Sequence, residues 1–247
     1  MRRRFFVEHF DARTAALRGD AAEHLGRVLR AEAGQLYELS DGARVWLARI
    51  ERVALTKRGE SRIDFVLVEP IEAREPSPRI ALLISIVKFD RFEWCLEKAT
   101  ELGVAQIVPL AAGRSEKALI AAALKRLDRW QKILRESAQQ SRQLRPPEIV
   151  EPLRPGRAFA LAAGKANIIL SERVGAQPLQ LTATKIGAAK SVVSLAIGPE
   201  GGWTDEEFTA ARAAGFAEAS LGESILRTET AVIAALSVLR FGGLVAT

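Results

Sequence analysis

The sequence predicts an α/β fold, a parallel sheet with helices on both faces, preceded by a small β-rich module. Three observations carry this. From residue 80 onward, apolar runs of strand length alternate with helical patterns, the pattern of a parallel sheet covered on both sides. Residues 1–72 are short β-like segments separated by turns. Between the two lies "AREPSPR", Ala73–Arg79, with two prolines and few apolar residues, which punctuates the chain as a linker. The expected organisation is a barrel-like β module over 1–72, a linker over 73–79 and an α/β domain over 80–247.

Within the first module, "QLYELSDGARVWLARIERV" predicts a hairpin, because two apolar-rich runs flank Ser40-Asp41-Gly42. "RIDFVLVEP" adds a strand. In the second domain "IALLISIV" (Ile80–Val87) is a buried strand and "RFEWCLEKATELG" a helix ending at Gly103. "AQIVPL" is the next strand, followed by a long basic helix to about Gln143. "ANIIL", "SVVSLAI" and "EASLG" are three further strands, and a last helix spans roughly Thr228–Leu239. Ligands of such sheets bind at the carboxyl ends of strands. Three loops qualify: Ser171–Val174, Gly198–Trp203 and Gly222–Arg227.

Composition narrows the class. The single cysteine, Cys95, excludes a disulfide framework, and two histidines, His9 and His24, make no metal-ligand cluster. The basic start "MRRRFFVEHFDA" has no apolar core of a secretory signal. The apolar run Ala231–Leu239 is far short of the roughly 20 residues of a membrane span. A soluble, cytoplasmic protein without metal is expected. The net charge of +6 is concentrated: Arg114–Arg145 holds nine basic and three acidic residues, as a contact with a polyanion would require.

The stretch "SLAIGPEGGWTDEEF", Ser194–Phe208, is the most informative. A strand runs into Gly198, and Thr204 starts a helix with Glu207 three residues on, the signature of a capping box. Gly198, Gly201 and Gly202 let the squeezed backbone adopt unusual angles and approach a ligand. A phosphate-binding P-loop would need Lys-Ser/Thr after the glycines, where Trp203-Thr204 stands. A dinucleotide fingerprint would follow the first strand, which leads instead into "KFDRF". The second informative loop is "LGESILRTETA", Leu221–Ala231. Thr228 and Glu229 suit a helix N-terminus, but Arg227, a cation there, does not, and this marks Arg227 as functional.

These two segments, in that order and about 25 residues apart, resemble the C-terminal signature of the SPOUT methyltransferases. The similarity is closest to the branch acting on small-subunit ribosomal RNA. "RRRFFV", "HLGRVLRAEAG", "KFDRFEWCLEKATELGV" and "ESAQQSRQLRPPEI" extend it over nearly the whole chain. The resemblance implies transfer of a methyl group from S-adenosyl-L-methionine to N3 of a uridine in 16S rRNA. It also implies a PUA-like barrel that helps hold RNA, a deep trefoil knot in the catalytic domain, and a homodimer. For the cofactor it implies Leu170, Ser171 and Glu172; Ile197, Gly198, Pro199, Glu200, Gly201 and Gly202; and Leu221, Gly222, Ile225, Leu226, Arg227, Thr228, Glu229 and Thr230.

Loss of the N3 proton leaves negative charge on uracil O2 and O4, which a permanently charged planar guanidinium suits. Arg227, then Arg142, are the expected anion stabilisers. Glu200 and Glu229 are possible proton acceptors or backbone caps, and no base is assigned. Arg135, Gln139 and Arg142 fall at i, i+4 and i+7 of the basic helix, with Arg126 and Arg129 a further step apart. That face, with Arg145, is the expected RNA contact, extended by Arg3, Arg4, His24, Arg27 and Arg30 of the β module. Where the family often carries arginine, this chain has Gln143 next to Arg142. Two other readings stay open: a sister enzyme acting on tRNA or large-subunit rRNA, and a non-catalytic ribosome-assembly factor.

Overall fold

The computed structural model describes residues 3–56, 61–73, 75–162, 166–186 and 192–242. Arg2 of the N-terminal motif, Arg74 of the expected linker and Ser191 at the head of an expected strand lie outside them. The chain divides into two compact units, Met1–Glu75 with Ala138–Pro146, and Pro76–Ser137 with Pro147–Thr247. A short segment far along the chain therefore groups with the N-terminal module.

The first unit contains β1 (Arg4–Phe6), β2 (Thr14–Arg18), α1 (Gly19–Glu23), β3 (Leu36–Ser40), β4 (Val45–Ala54) and β5 (Arg62–Ile71). The sheet order is β1-β3-β4-β5-β2, parallel between β1 and β3 and antiparallel elsewhere. The β3–β4 hairpin turns as expected: Asp41 accepts from the backbone N–H groups of Ala43 and Arg44 at 3.0 and 2.7 Å, and Gly42 supplies φ +85°. Irregularities at Leu47/Ala48 and Ile50/Arg52 break the β4–β5 register and bend the strands. No pairing joins β1 to β2 among the described residues, so the expected barrel is present as a curled mixed sheet, a half-barrel. Phe5, Leu17, Leu25, Leu39, Ile50, Ile63 and Phe65 form its core.

The second unit runs β6 (Arg79–Ser85), α2 (Phe89–Glu101), β7 (Gln106–Leu110), α3 (Lys117–Ala123), α4 (Leu127–Gln140), β8 (Glu148–Ile149), α5 (Pro155–Leu161), β9 (Ala166–Leu170), β10 (Gln177–Pro178), α6 (Leu179–Ile186), β11 (Val192–Ile197), α7 (Asp205–Ala213), β12 (Phe216–Ser220) and α8 (Thr228–Phe241). Its described strands form a seven-stranded sheet, order β10-β12-β9-β11-β6-β7-β8, with every pairing parallel. Two strands beyond the five expected, β8 and β10, are two residues long and too short to carry a periodic signal.

Alternation along the strands divides the core into two layers. Ile80, Leu82 and Ile84 of β6 and Val193, Leu195 and Ile197 of β11 pack with Phe92, Cys95, Leu96 and Ala99 of α2, Trp130 of α4, and Val232 and Leu236 of α8. Leu83 and Ala196 point the other way, toward Phe159 of α5 and Phe208 and Ala211 of α7. The apolar residues of α2 fall at i, i+3, i+4 and i+7, one face of a helix. At the end of α8, Arg240 donates to the carbonyls of Pro78, Leu102 and Gly103. Burial pulls its pKa down to about 10.

The expected long basic helix is divided. A 3₁₀ turn, Leu124–Arg126, separates α3 from α4, and α4 stops at Gln140 rather than Gln143. Arg142 then adopts φ +57°, so it does not continue the helical face of Arg135 and Gln139. Its carbonyl accepts from Arg4 Nη1 at 2.6 Å, and the Leu144 carbonyl accepts from Ser40 Oγ at 2.6 Å. Bonds to residues more than 100 positions away turn the chain here. No helix among the described residues is long and apolar enough to cross a membrane.

Candidate active site

Because the sheet is wholly parallel, the loops after β9, β11 and β12 leave from the same edge, and these strands are neighbours. Together with the start of α8 they line a cleft of about 410 Å³. Leu170, Ser171 and Glu172 line it from β9, and Ile197 through Gly202 from β11. Leu221, Gly222, Leu226 and Thr228 close it from β12 and α8. Of the residues expected there, Ile225, Arg227, Glu229 and Thr230 are not among those lining it.

The turn after β11 is closed by a bond from Gly202 N–H to the Pro199 carbonyl at 2.8 Å, and Gly202 takes φ +72°. At Gly198 space is the constraint: a Cβ there would lie 3.0 Å from Cε2 of Trp203. Trp203 is buried and donates its indole N–H to the Leu170 carbonyl at 3.0 Å. Thr228, also buried, donates to the Gly198 carbonyl at 3.4 Å.

The capping box at the start of α7 forms as the spacing predicts. Thr204 Oγ1 accepts from Glu207 N–H at 3.2 Å, and Glu207 Oε2 accepts from Thr204 N–H at 2.8 Å. The second oxygen of Glu207 accepts from Gly113 N–H at 2.8 Å. The cap thereby also holds the loop after β7, a fourth loop not anticipated from sequence. Arg114 from that loop lines the cleft and donates through Nη1 to the Gly201 carbonyl at 2.7 Å. Arg173, Trp203 and Ser224, within the three loops expected to meet a ligand, also line it, as do Asp205, Phe208 and Ala231, which the sequence did not suggest. The signal for Trp203 was its place directly after the glycines. The Arg173 guanidinium stacks over the Phe208 ring, 3.7 Å from the centroid, and pairs with Asp205.

The expected ionic groups are placed as follows. Arg227 is exposed at the N-cap of α8, without a side-chain capping bond. Arg142 belongs to the first unit, with Nη1 3.6 Å from Glu38. Glu200 pairs with Arg91 of α2, and Glu229 Oε1 lies 3.9 Å from Arg91 Nε, so one unanticipated arginine engages both possible proton acceptors. Beneath α8, burial and then the charge of Glu229 push the Cys95 thiol up to about 12. Cys95 is therefore a protonated core residue, not a nucleophile.

The expected RNA-contacting residues divide sharply. Arg3, Arg30 and Arg135 are exposed, and His24 is half-buried. Arg4 is only 6 % exposed and bonds Glu38 at 2.9 and 3.2 Å, which removes it as a solvent-facing phosphate contact. Arg27 donates to the Thr56 carbonyl at 2.9 Å, and Arg145 pairs with Glu75. Arg129 makes two 2.7 Å bonds to Glu93, and Arg126 lies 3.5 Å from the same carboxylate. Part of the basic excess is neutralised locally.

A parallel α/β unit with a glycine-walled cleft at its strand ends is the frame of an RNA methyltransferase domain, and the profile of that family matches residues 74–240. Ribosomal RNA small subunit methyltransferase E of Synechocystis sp. is 33 % identical over 227 residues, 91 % of this chain and 72 % of that protein. The enzyme of the same name from Neisseria gonorrhoeae, solved bound to S-adenosyl methionine, superposes with a TM-score of 0.82 at 28 % identity and 97 % coverage of both chains. A Legionella pneumophila methyltransferase in complex with the cofactor SAM gives 0.81 at 31 % identity, again over 97 % of each chain. The chain belongs to the ribosomal RNA small subunit methyltransferase E family.

Proposed function

We propose that the protein methylates N3 of a uridine in 16S rRNA of the small ribosomal subunit, with S-adenosyl-L-methionine as methyl donor. The observation that carries this is the cleft where the loops after β9, β11 and β12 converge, walled by Gly198–Gly202 and Gly222. The residues fit the donor. Apolar Leu170, Ile197, Leu221 and Leu226 offer surfaces for an adenine ring, and the close packing of Gly198 against Trp203 keeps side chains out of the turn. A neutral nucleoside needs no phosphate-binding lysine, and none lines the cleft among the described residues.

When bound, S-adenosyl-L-methionine supplies an electrophilic methyl group. The protein's task is to hold the uracil in line and to stabilise the charge left as N3 releases its proton to solvent. Glu200 and Glu229 are engaged by Arg91 and serve as structural anchors in this scheme. Arg227 keeps the stabilising role as a proposal from the exposed cap of α8, whereas the Arg142 guanidinium is committed to Glu38. The target base must leave its stack to present N3. The bent sheet of the first unit is the PUA-like RNA-holding module, with Arg3 and Arg30, and Arg135 contributes from α4. A trefoil knot in the second unit, a homodimer and a cytoplasmic site of action complete the proposal.

The test is methyl transfer from labelled S-adenosyl-L-methionine to unmodified 30S subunits, free 16S rRNA and tRNA, followed by mass spectrometry of the labelled nucleoside. N3-methyluridine in 30S subunits or 16S rRNA is the expected result. Label in tRNA, or cofactor binding with no transfer to any RNA, would overturn the proposal.

A further inference from the structure

The cleft contains a cation that the sequence did not suggest. Among the described residues lining it, the cationic ones are Arg114 and Arg173. Arg173 is matched by Asp205 and stacked on Phe208. Arg114 makes no ion pair with any carboxylate among the described residues, and its Nη1 is fixed on the Gly201 carbonyl at 2.7 Å. That bond occupies one edge of the guanidinium and leaves its remaining N–H donors free of carboxylate.

The surroundings are built to hold this side chain. A Cβ at Gly201 would lie 3.3 Å from the Arg114 Cβ and 3.5 Å from its Cδ, and one at Gly202 would lie 3.7 Å from Nη1. Gly201 thus makes room for the arginine stem. Its backbone is fixed as well: the preceding Gly113 N–H is bound by the buried carboxylate of Glu207. A positive charge fixed on a backbone carbonyl, with its own backbone anchored next door by a capping carboxylate, is preorganised, which is the property that makes electrostatic stabilisation effective.

We propose that Arg114 is a catalytic residue that donates hydrogen bonds to the anionic carbonyl oxygens of the target uracil once N3 has lost its proton. This rests on the N3-methylation reading above. The planar fork of donors suits the carbonyl edge of a uracil anion, and a lysine ammonium would not reproduce it.

The test compares wild type, Arg114→Ala and Arg114→Lys on the RNA that the wild-type enzyme methylates, with donor affinity measured separately by calorimetry. The expected result is a fall in kcat of about 100-fold or more for Arg114→Ala, with RNA KM and donor Kd within a few-fold of wild type. Arg114→Lys should recover little, and added guanidinium should restore part of the Arg114→Ala rate. Unchanged kcat, a loss confined to RNA KM, or a loss of donor binding equal to the loss of activity would each overturn the role. Wild-type enzyme that leaves uridine N3 unmethylated on every RNA would overturn the underlying reading as well. Wild-type N3 methylation alongside a fully active Arg114→Ala would sink this inference alone.

Discussion

The indole N–H of Trp203 donates to the carbonyl oxygen of Leu170 across 3.0 Å, joining the loop after β11 to the end of β9. This bond sets the separation of two walls of the cleft, because Leu170 and Trp203 both line it. The same ring packs edge-on to Phe159, 5.8 Å between centroids, so a phenylalanine would keep much of the packing and lose the bond.

Trp203→Phe leaves the carbonyl of the half-buried Leu170 without this donor. Losing one such hydrogen bond costs about 0.5–1.5 kcal/mol, and urea denaturation of the full chain should register a loss in that range. Calorimetric titration with S-adenosyl-L-methionine should show affinity weakened by roughly tenfold, the equivalent of 1.4 kcal/mol. Unaltered affinity would mean that this bond does not shape the donor site.

In the first unit, Glu38 is 7 % exposed and faces both Arg4 and Arg142. Glu38→Gln removes the counter-charge and leaves the Arg4 cation buried. Breaking a buried pair in this way costs about 3–5 kcal/mol, visible as a lower urea midpoint. A midpoint within error of wild type would show that the Arg142 carbonyl and solvent suffice to satisfy Arg4.

Cys95 is fully buried, and its thiol titrates near 12 instead of at its ordinary 9.0, through burial first and the Glu229 charge second. Below pH 9 the thiol is protonated in both folded and unfolded chains, and its contribution is fully present. Between about 9 and 12 the unfolded chain loses the proton that the folded chain keeps, so stability falls as pH rises. Denaturant titrations at pH 8 and pH 10.5 should show wild type losing more stability than Cys95→Ala, and the native thiol should resist alkylation at pH 8. Rapid alkylation without denaturant would contradict this burial.

Much of the second unit was legible because its signals are local. The apolar runs of β6, β9 and β11 and the face of α2 follow from periodicity, and the Thr204–Glu207 box from residue types three apart. The glycine-rich loops pointed to the strand ends, and thirteen of the seventeen residues expected at the cofactor site line the cleft. The helix stop before Arg142 was not legible, since the bonds that turn the chain come from Arg4 and Ser40, 138 and 104 residues away. Nor was the partnership of Arg91 with Glu200 and Glu229, which joins α2 to the loop after β11 and to the first turn of α8.

The sequence by itself determined most of the longer elements and the loops that line the cleft, because turn residues, caps and apolar periods act within a few positions of one another. Only the tertiary structure decided which cation faces the cleft. Arg227 stands in the most suggestive local motif yet is not among the residues lining the cleft. Arg114, which the sequence marked only as the start of a basic stretch, is brought beside Gly201, 87 residues later, by the parallel order of β7, β6 and β11. The physical reason is that a side chain's surroundings are set by packing between distant elements, and residue spacing along the chain does not encode that proximity.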